Sequence, residues 1–239
     1  MLNPDSNRPL LTIILPCYNP IEKWQFNVIQ NINAIEERLG ANIALIIVND
    51  GSTKLVSDEE VDYIKKHHPE TKIIEYPQNR GKGYALRQGV KSVEHFPIIY
   101  TDIDFPYTID SLFDVYHALD KKYDAVLGKR NNDYYKNTPF VRKVISKTLR
   151  GVLKLFLRLP TDDTQCGIKG FNQAGGDLFQ TTEIDRFLFD LEFVKLISKR
   201  RLKCATVDVQ LKPNIVFSKV NLKILAKESV NFVKVLFRK

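Results

Sequence analysis

The feature that most constrains this chain is an apolar, β-forming run that ends at two carboxylates. Residues 98–101 lead directly into Asp102 and Asp104, and Pro106 then ends the extended segment. This pattern predicts a buried strand. Ligands of open parallel sheets bind outside the carboxyl ends of the strands, so both acids are expected at a ligand-binding edge. There they can hold Mg²⁺ or Mn²⁺, which prefer oxygen ligands and bridge to a substrate diphosphate. A solvated acidic turn is the alternative.

Short apolar runs alternate with amphipathic stretches along the rest of the chain. We expect further strands at residues 10–15, 43–48, 72–76, 124–128 and 203–211, and a short one after the polar turn at 160–171. We expect helices at 22–39, 58–68, 109–121 and 187–200, and one that begins within 79–83 and ends near 93. This alternation predicts an α/β fold with a mostly parallel, Rossmann-like central sheet, flanked by helices and joined by right-handed crossovers.

Composition limits which cellular compartment and which binding partners we expect for this chain. The net charge of +8 favours anionic partners, such as nucleotide phosphates, acidic lipid headgroups or nucleic acid. The scattered Cys17, Cys166 and Cys204 favour a reducing compartment without structural disulfides or zinc. Residues 1–9 lack the apolar stretch of a signal peptide, and no apolar run is long enough to span a membrane. We therefore expect a cytoplasmic protein.

Three other strand ends carry polar groups that suit a phosphorylated ligand. Asp50 begins a glycine turn and can accept bonds from a ribose hydroxyl or a base N–H, although an ordinary turn also explains it. The glycines within 79–83 allow close backbone approach, and the helix that begins there offers free N–H groups to an anion. A flexible turn is the alternative. Lys129 and Arg130 add two cations beside the same edge.

Two stretches, residues 140–159 and 219–239, combine a basic stripe with an apolar stripe at helical spacing. Each is either a helix that lies in a membrane interface or a surface helix that packs on the domain.

The polar segments form an ordered set of motifs. They are Leu15-Pro16-x-Tyr18-Asn19, Asn49-Asp50-Gly51-Ser52, Asn79-x-Gly81-Lys82-Gly83-x-Ala85-x-Arg87-x-Gly89, Thr101-Asp102-x-Asp104, Gly128-Lys129-Arg130 and Asp163-Thr164-Gln165-Cys166-Gly167-x-Lys169-x-Phe171, followed by Phe189-Asp190-x-Glu192. Together they resemble the inverting family-2 glycosyltransferases with the GT-A fold, a nucleotide-diphospho-sugar transferase fold. The resemblance is greatest to the polyprenyl- and dolichyl-phosphate branch, and the last two motifs resemble its glucosyl members.

The resemblance implies a role for each motif. Residues implied in nucleotide and donor binding are Pro16, Tyr18, Asn19, Asp50, Asn79, Gly81, Lys82 and Asp102. Asp102 and Asp104 are the implied metal ligands, with Asp104 on the diphosphate. Arg130 and Lys169 are implied to meet phosphates, while Asp163 and Gln165 line the sugar or acceptor site. Asp190 is the positional candidate for a catalytic base.

The chemistry of sugar transfer agrees with these roles. A departing diphosphate needs neutralisation, which a divalent cation and basic side chains supply. A hydroxyl acceptor needs a base such as Asp190. A lipid phosphate is largely dianionic at pH 7, since its second pKa is about 6, and needs none. Mannosyl members carry a metal-binding glutamine where this chain has Pro106, which favours glucosyl transfer.

We therefore expect a catalytic domain over residues 1–214 and a basic amphipathic helix over 215–239. The expected activity is metal-dependent transfer of a glucose-type sugar from a UDP-sugar to a polyprenyl phosphate, by a protein bound peripherally at the cytoplasmic membrane face. Transfer to a glycan or protein hydroxyl is the alternative within the class. A sugar nucleotidyltransferase and a non-enzymatic basic binder are alternatives from other classes, although no nucleic-acid-binding motif is recognisable.

Overall fold

The computed structural model describes residues 9–130 and 159–213, and the predicted basic helices at 140–159 and 219–239 fall outside that part except for Leu159. The described strands are β1 Thr12–Cys17, β2 Ala44–Asp50, β3 Lys72–Tyr76, β4 Ile98–Tyr100, β5 Ala125–Arg130, β6 Lys169–Phe171 and β7 Cys204–Val209. The described helices are α1 Trp24–Leu39, α2 Asp58–His67, α3 Lys82–Lys91, α4 Ile109–Asp120, α5 Gln173–Gln180 and α6 Phe189–Arg200.

The strands form one seven-stranded sheet in the order β3-β2-β1-β4-β6-β5-β7. The predicted mostly parallel sheet is confirmed, because β1 pairs parallel with β2 and β4, β2 with β3, and β5 with β7. The exception is β6, which runs antiparallel between β4 and β5. The start of β6 therefore lies at the same edge as the carboxyl ends of β4 and β5.

Two apolar layers cover the sheet, one on each face. Ile13 and Leu15 belong to the layer that contains α1 and α4, whereas Ile14 belongs to the layer that contains α3, α5 and α6. Successive side chains of a strand point to opposite faces, so a strand covered on both faces must be apolar throughout. This explains why the strands appear in the sequence as unbroken apolar runs.

Helix α1 shows how the sequence sets local structure near the polar edge. Its buried residues include Val28, Ile32 and Ile35, which recur at helical spacing, and the helix ends at Gly40 in the left-handed conformation. Asn31 is also buried on this helix, at 5% exposure. A buried amide needs hydrogen-bond partners, and Asn31 finds them in Asn27 and Lys212.

Helix α5 was not predicted from the sequence. Its Gly175 and Gly176 pack closely on the chain around Asp124, Phe171 and Phe96, so tertiary contacts favour a helix that propensity does not. Within residues 9–130 and 159–213, no helix has the length and apolar character needed to cross a membrane.

Candidate active site

The residues predicted from separate strand ends meet at one edge of the sheet. Asp50 ends β2 and accepts a bond from the backbone N–H of Gly81, at 2.9 Å. The next residue, Lys82, donates to Oδ1 of Asp102 at 2.5 Å. Asp50, Asp102 and the neighbouring Asp104 thus belong to one connected polar region at the carboxyl ends of β2 and β4.

Asp50 shapes the turn that precedes α3. Its carboxylate accepts from the Tyr76 hydroxyl at 2.8 Å, Asn79 Nδ2 at 2.7 Å, and the N–H groups of Arg80 at 2.8 Å and Gly81 at 2.9 Å. These four bonds match the acceptor capacity of a carboxylate, and Asp50 is only 3% exposed. The sequence predicted a direct contact of Asp50 with ribose or base. In the structure this carboxylate accepts its bonds from the turn, including one from Asn79, and the contact with ribose or base stays a prediction.

The start of α3 is closed by a neighbouring segment. The carbonyl of Asp185 accepts from the N–H groups of Gly83 at 2.8 Å and Tyr84 at 3.2 Å. A Cβ on Gly81 would lie 2.5 Å from the same carbonyl oxygen. The expectation of free N–H groups for an anion is therefore wrong here: the N–H of Gly81 donates to Asp50, and those of Gly83 and Tyr84 donate to the loop that precedes α6. The glycines admit protein backbone, where close approach of a ligand was expected.

Asp102 and Asp104 differ in environment. Burial, and then the nearby charge of Asp102, raises the pKa of Asp104. Burial lowers the pKa of Lys82, but the charges of Asp102, Asp190 and Asp104 outweigh it and the net shift is upward. Lys82 is therefore a charged ammonium whose closest partner is the acidic pair.

This pair suits a hard divalent cation. The side chain of Asp102 is 40% exposed and Asp104 is half-buried, so both carboxylates are within reach of a ligand. In the described part of the chain, no group of three or more His, Cys, Asp or Glu side chains is placed to hold a metal. Mg²⁺ and Mn²⁺ commonly take one or two protein carboxylates and complete their shell with water and substrate phosphates. The donor set fits that mode.

Lys169 and Asp190 form an ion pair inside the core. Lys169 Nζ donates to Asp190 Oδ1 at 2.5 Å and to the Cys166 carbonyl at 2.7 Å, and the Tyr100 hydroxyl donates to the same Asp190 oxygen at 2.6 Å. Lys169 is 0% exposed and Asp190 4%. The proposed contact of Lys169 with a phosphate stays a prediction, and in the structure its ammonium has these buried partners. Asp190, the predicted base, is the counter-charge of this lysine.

Arg130 and Asp163 also bind each other. Arg130 Nε and Nη2 donate to the two carboxylate oxygens at 2.8 and 2.5 Å, and the Arg130 backbone N–H adds a third bond at 2.9 Å. Asp163 is 1% exposed. The carboxylate outweighs the effect of burial and raises the pKa of Arg130. Arg130 and Asp163, predicted to contact phosphate and sugar, thus form a bidentate pair with each other. Gln165 is half-buried in the adjoining turn.

The predicted nucleotide side of the edge is built from two linked loops. The Asn19 N–H donates to Ser52 Oγ at 3.0 Å, and the Thr53 N–H donates to Asn19 Oδ1 at 2.9 Å. Tyr18 is 51% exposed next to this link, and Pro16 is half-buried at the end of β1. Two hydrogen bonds therefore link the loops after β1 and β2, and Tyr18 is exposed to solvent beside them.

Sequence reasoning missed several polar groups that support the edge. Tyr100 holds Asp190, and the Tyr107 hydroxyl accepts the Gly167 N–H at 2.9 Å. Asn27 and Asn31 lie on α1 behind Asp104, and Lys212 bonds to Asn31. One usable signal was present, since two asparagines four residues apart interrupt the apolar stripe of α1. Lys212 follows the last described strand, and nothing in the sequence around it indicates a role at this edge.

Comparison with known proteins identifies the class. The fold is that of GT-A glycosyltransferases: mannosyl-3-phosphoglycerate synthase from Rubrobacter xylanophilus superimposes with a TM-score of 0.71 at 16% identity, over 96% of this chain and 73% of that one. The Glycosyl transferase family 2 model matches residues 12–177, and the chain therefore belongs to glycosyl transferase family 2. The predicted GT-A fold and the predicted family are confirmed, and so is the coarser prediction of a hexosyltransferase.

Curated relatives show which members of the family the chain is similar to. The chain is 28% identical to dolichyl-phosphate beta-glucosyltransferase of Drosophila melanogaster, over 86% of this chain and 68% of that one. It is 24% identical to the Saccharomyces cerevisiae enzyme of the same name, over 86% of this chain and 67% of that one. The Pyrobaculum calidifontis mannosyltransferase PcManGT, solved with GDP-Man and Mn²⁺, superimposes with a TM-score of 0.55 at 17% identity, over 84% of this chain and 55% of that one.

Proposed function

We propose that this protein transfers glucose, with inversion, from a UDP-linked donor to a polyprenyl phosphate of the dolichyl-phosphate type. The observation that carries the proposal is that Lys82 bonds to Asp102 of the Asp102–Asp104 pair, at the carboxyl edge of the sheet in a family 2 glycosyltransferase. The names of the curated relatives support the choice of sugar and acceptor.

The donor half of the reaction needs the departing diphosphate to be neutralised. Asp102 and Asp104 would hold a divalent cation, which supplies electrostatic stabilisation of the leaving group. Lys82 lies against the same acidic pair and adds a second positive charge. Charge that is already in place where negative charge develops is the most effective catalytic contribution of such a site.

The acceptor half favours a phosphate over a hydroxyl. A general base needs a carboxylate that reaches the proton it removes. Asp190 is 4% exposed and bonds to Lys169 and Tyr100. A lipid phosphate arrives already ionised and attacks without proton removal. The burial of Asp190 therefore supports a polyprenyl phosphate acceptor over a glycan or protein hydroxyl.

The lipid acceptor implies work at a membrane surface. Polyprenyl chains reside in the bilayer, so the site must approach the headgroup region. The net charge of +8 suits a peripheral contact with an anionic surface, at about 1 kcal/mol for each basic side chain near it. We place the protein at the cytoplasmic face.

A ligand panel with product analysis tests the proposal. Thermal shift is measured with UDP, GDP, UDP-glucose and GDP-mannose, each with and without Mn²⁺, followed by assays with polyprenyl phosphate and with the matching polyprenol. We expect stabilisation by UDP plus Mn²⁺, and transfer of glucose to the phosphate with release of UDP. A flat response across the panel contradicts the proposal. Release of pyrophosphate identifies a nucleotidyltransferase, and transfer to a hydroxyl acceptor overturns the choice of acceptor.

A further inference from the structure

The segment that follows β7 returns across the loop that carries Asp104. The Lys212 N–H donates to the Pro106 carbonyl at 2.9 Å, and the Thr108 N–H donates to the Gln210 carbonyl at 3.0 Å. Tyr107 and Leu211 form an antiparallel bridge between these bonds. Residues 210–212 lie beyond the part of the chain that the family model matches, residues 12–177.

The Lys212 side chain continues this contact through helix α1. Its Nζ donates to Asn31 Oδ1 at 2.7 Å. Asn31 Nδ2 in turn donates to the carbonyl and to Oδ1 of Asn27, at 2.7 and 3.0 Å. Asn27 Nδ2 then donates to the Asp104 carbonyl at 3.0 Å. One chain of hydrogen bonds therefore joins the ammonium of Lys212 to the backbone of Asp104.

Lys212 also acts on Asp104 through its charge. Its ammonium interacts favourably with the Asp104 carboxylate and lies 5.9 Å from the centroid of the Phe105 ring. Because its donor bond goes to the buried Asn31, the ammonium is held behind the loop. Lys82, by contrast, bonds directly to the carboxylate of Asp102.

We propose that Lys212 is a positioning residue for Asp104, acting through Asn31 and Asn27 to hold this carboxylate toward the cation. The inference rests on the proposed function, because it takes Asp104 to be a metal ligand. Residues that orient metal ligands from behind are worth about 10- to 100-fold in metal affinity or activity.

Three variants and two measurements test the proposal. Lys212→Met keeps the length of the side chain without its charge, Lys212→Arg keeps the charge, and Lys65→Met removes an exposed lysine of α2 as the matched control. In Lys212→Met we expect the half-saturating Mn²⁺ concentration for glucosyl transfer to rise about 10-fold or more, with the KM of the donor changed less than threefold. Lys212→Arg should recover most of this loss. An unchanged or lower Mn²⁺ requirement in Lys212→Met overturns the proposal.

Amide hydrogen exchange separates this inference from the proposed function. The N–H groups of Thr108 and Lys212 should exchange faster in Lys212→Met than in Lys65→Met, with no metal or donor present. If the wild-type protein shows no Mn²⁺ response, the proposed function fails, while equal exchange at these amides overturns the positioning role by itself. Should Lys212→Met fail to fold, Asn31→Ala breaks the same chain and is expected to raise the exchange rate of the Asp104–Thr108 loop. Unchanged exchange in that variant likewise overturns the proposal.

Discussion

Asp102 and Asp104 are separated by a single residue, yet their surroundings give them different properties. Asp102 bonds to Lys82, whereas burial and the charge of Asp102 raise the pKa of Asp104. A raised pKa means that the folded state disfavours the carboxylate form of Asp104 relative to the unfolded chain. The folded protein therefore stores an electrostatic cost at the position where a cation would relieve it.

Asp104→Asn should separate function from stability. The change removes a charged metal ligand, so we expect glucosyl transfer to fall at least about 100-fold and the Mn²⁺-dependent thermal shift to disappear. Without metal, the melting temperature at pH 7 should equal or exceed that of wild type, because the disfavoured charge is gone. Asp114→Asn, on the exposed face of α4, is the control and should change neither quantity. A metal-dependent shift retained in Asp104→Asn would contradict the assignment of this ligand.

Asp190 is expected to matter for stability more than for proton transfer. Removing one partner of a buried ion pair leaves the other charge uncompensated, which costs about 3–5 kcal/mol. Asp190→Asn should therefore lower the free energy of unfolding by that amount in urea titrations, and Lys169→Met together with Asp190→Leu should restore part of it. Below its melting temperature, Asp190→Asn should retain transfer to polyprenyl phosphate within about 10-fold, a smaller loss than the 10²- to 10⁴-fold expected for a general base. Complete loss of transfer in a folded variant would identify Asp190 as a base.

At the scale of elements, the contact between α3 and the segment before α6 is the joint that sets the shape of the edge. Arg87 donates to the Ile184 carbonyl at 3.0 Å and to the Asp185 carboxylate, and Asp185 in turn closes the start of α3. Glu192 accepts the N–H groups of Glu183 and Ile184 at 2.9 to 3.1 Å. These bonds join the starts of the two helices, which carry Lys82 and Asp190.

Gly83→Ala should disrupt this joint. A Cβ at Gly83 would lie 2.4 Å from the Ile184 carbonyl oxygen and 2.7 Å from Phe189 Cβ, so the two elements must separate. Overpacking of this kind costs about 1–3 kcal/mol, measured as the free energy of unfolding in urea. Gly40→Ala is the control: its Cβ meets nothing within 4 Å, and only the left-handed backbone, φ +66°, opposes the change. A smaller loss at Gly83 than at Gly40 would show that the joint yields easily.

At the scale of the whole molecule, the three thiols report on the integrity of the packed core. Burial raises the pKa of Cys17 to about 12 and that of Cys204 to about 11, and burial also raises the pKa of Cys166. The thiolate is the reactive form, so alkylation in the folded protein should be slow.

The same shifts predict how stability depends on pH. The unfolded thiols lose their protons near the ordinary value of 9.0, while the folded Cys17 keeps its proton to about 12. The unfolded state therefore binds fewer protons between these values, and the free energy of unfolding should fall as pH rises through this window. Urea titrations from pH 8 to 11 should show a shallower fall in Cys17→Ala than in wild type. Equal slopes would mean that the Cys17 thiol ionises alike in both states.

Much of the architecture is readable from residue order alone. Unbroken apolar runs marked the central strands, which are buried on both faces. The motifs at their ends predicted both the GT-A fold and the family. Asp102, Asp104 and Lys82 were also placed correctly at one edge, because parallel strands bring their carboxyl ends together. These inferences succeed since each depends on local pattern or on a general rule of sheet topology.

The sequence by itself determined the sheet, the family and the acidic pair, because strand periodicity and motif order are written locally along the chain. Only the tertiary structure decided that β6 runs antiparallel, that Lys169 and Asp190 neutralise each other in the core, and that Asp185 closes the start of α3. It alone brought Lys212 behind Asp104. Partners that lie 21 to 181 residues apart in the chain are selected by burial. A charge or an N–H group removed from water must find whichever partner the packed fold brings within reach.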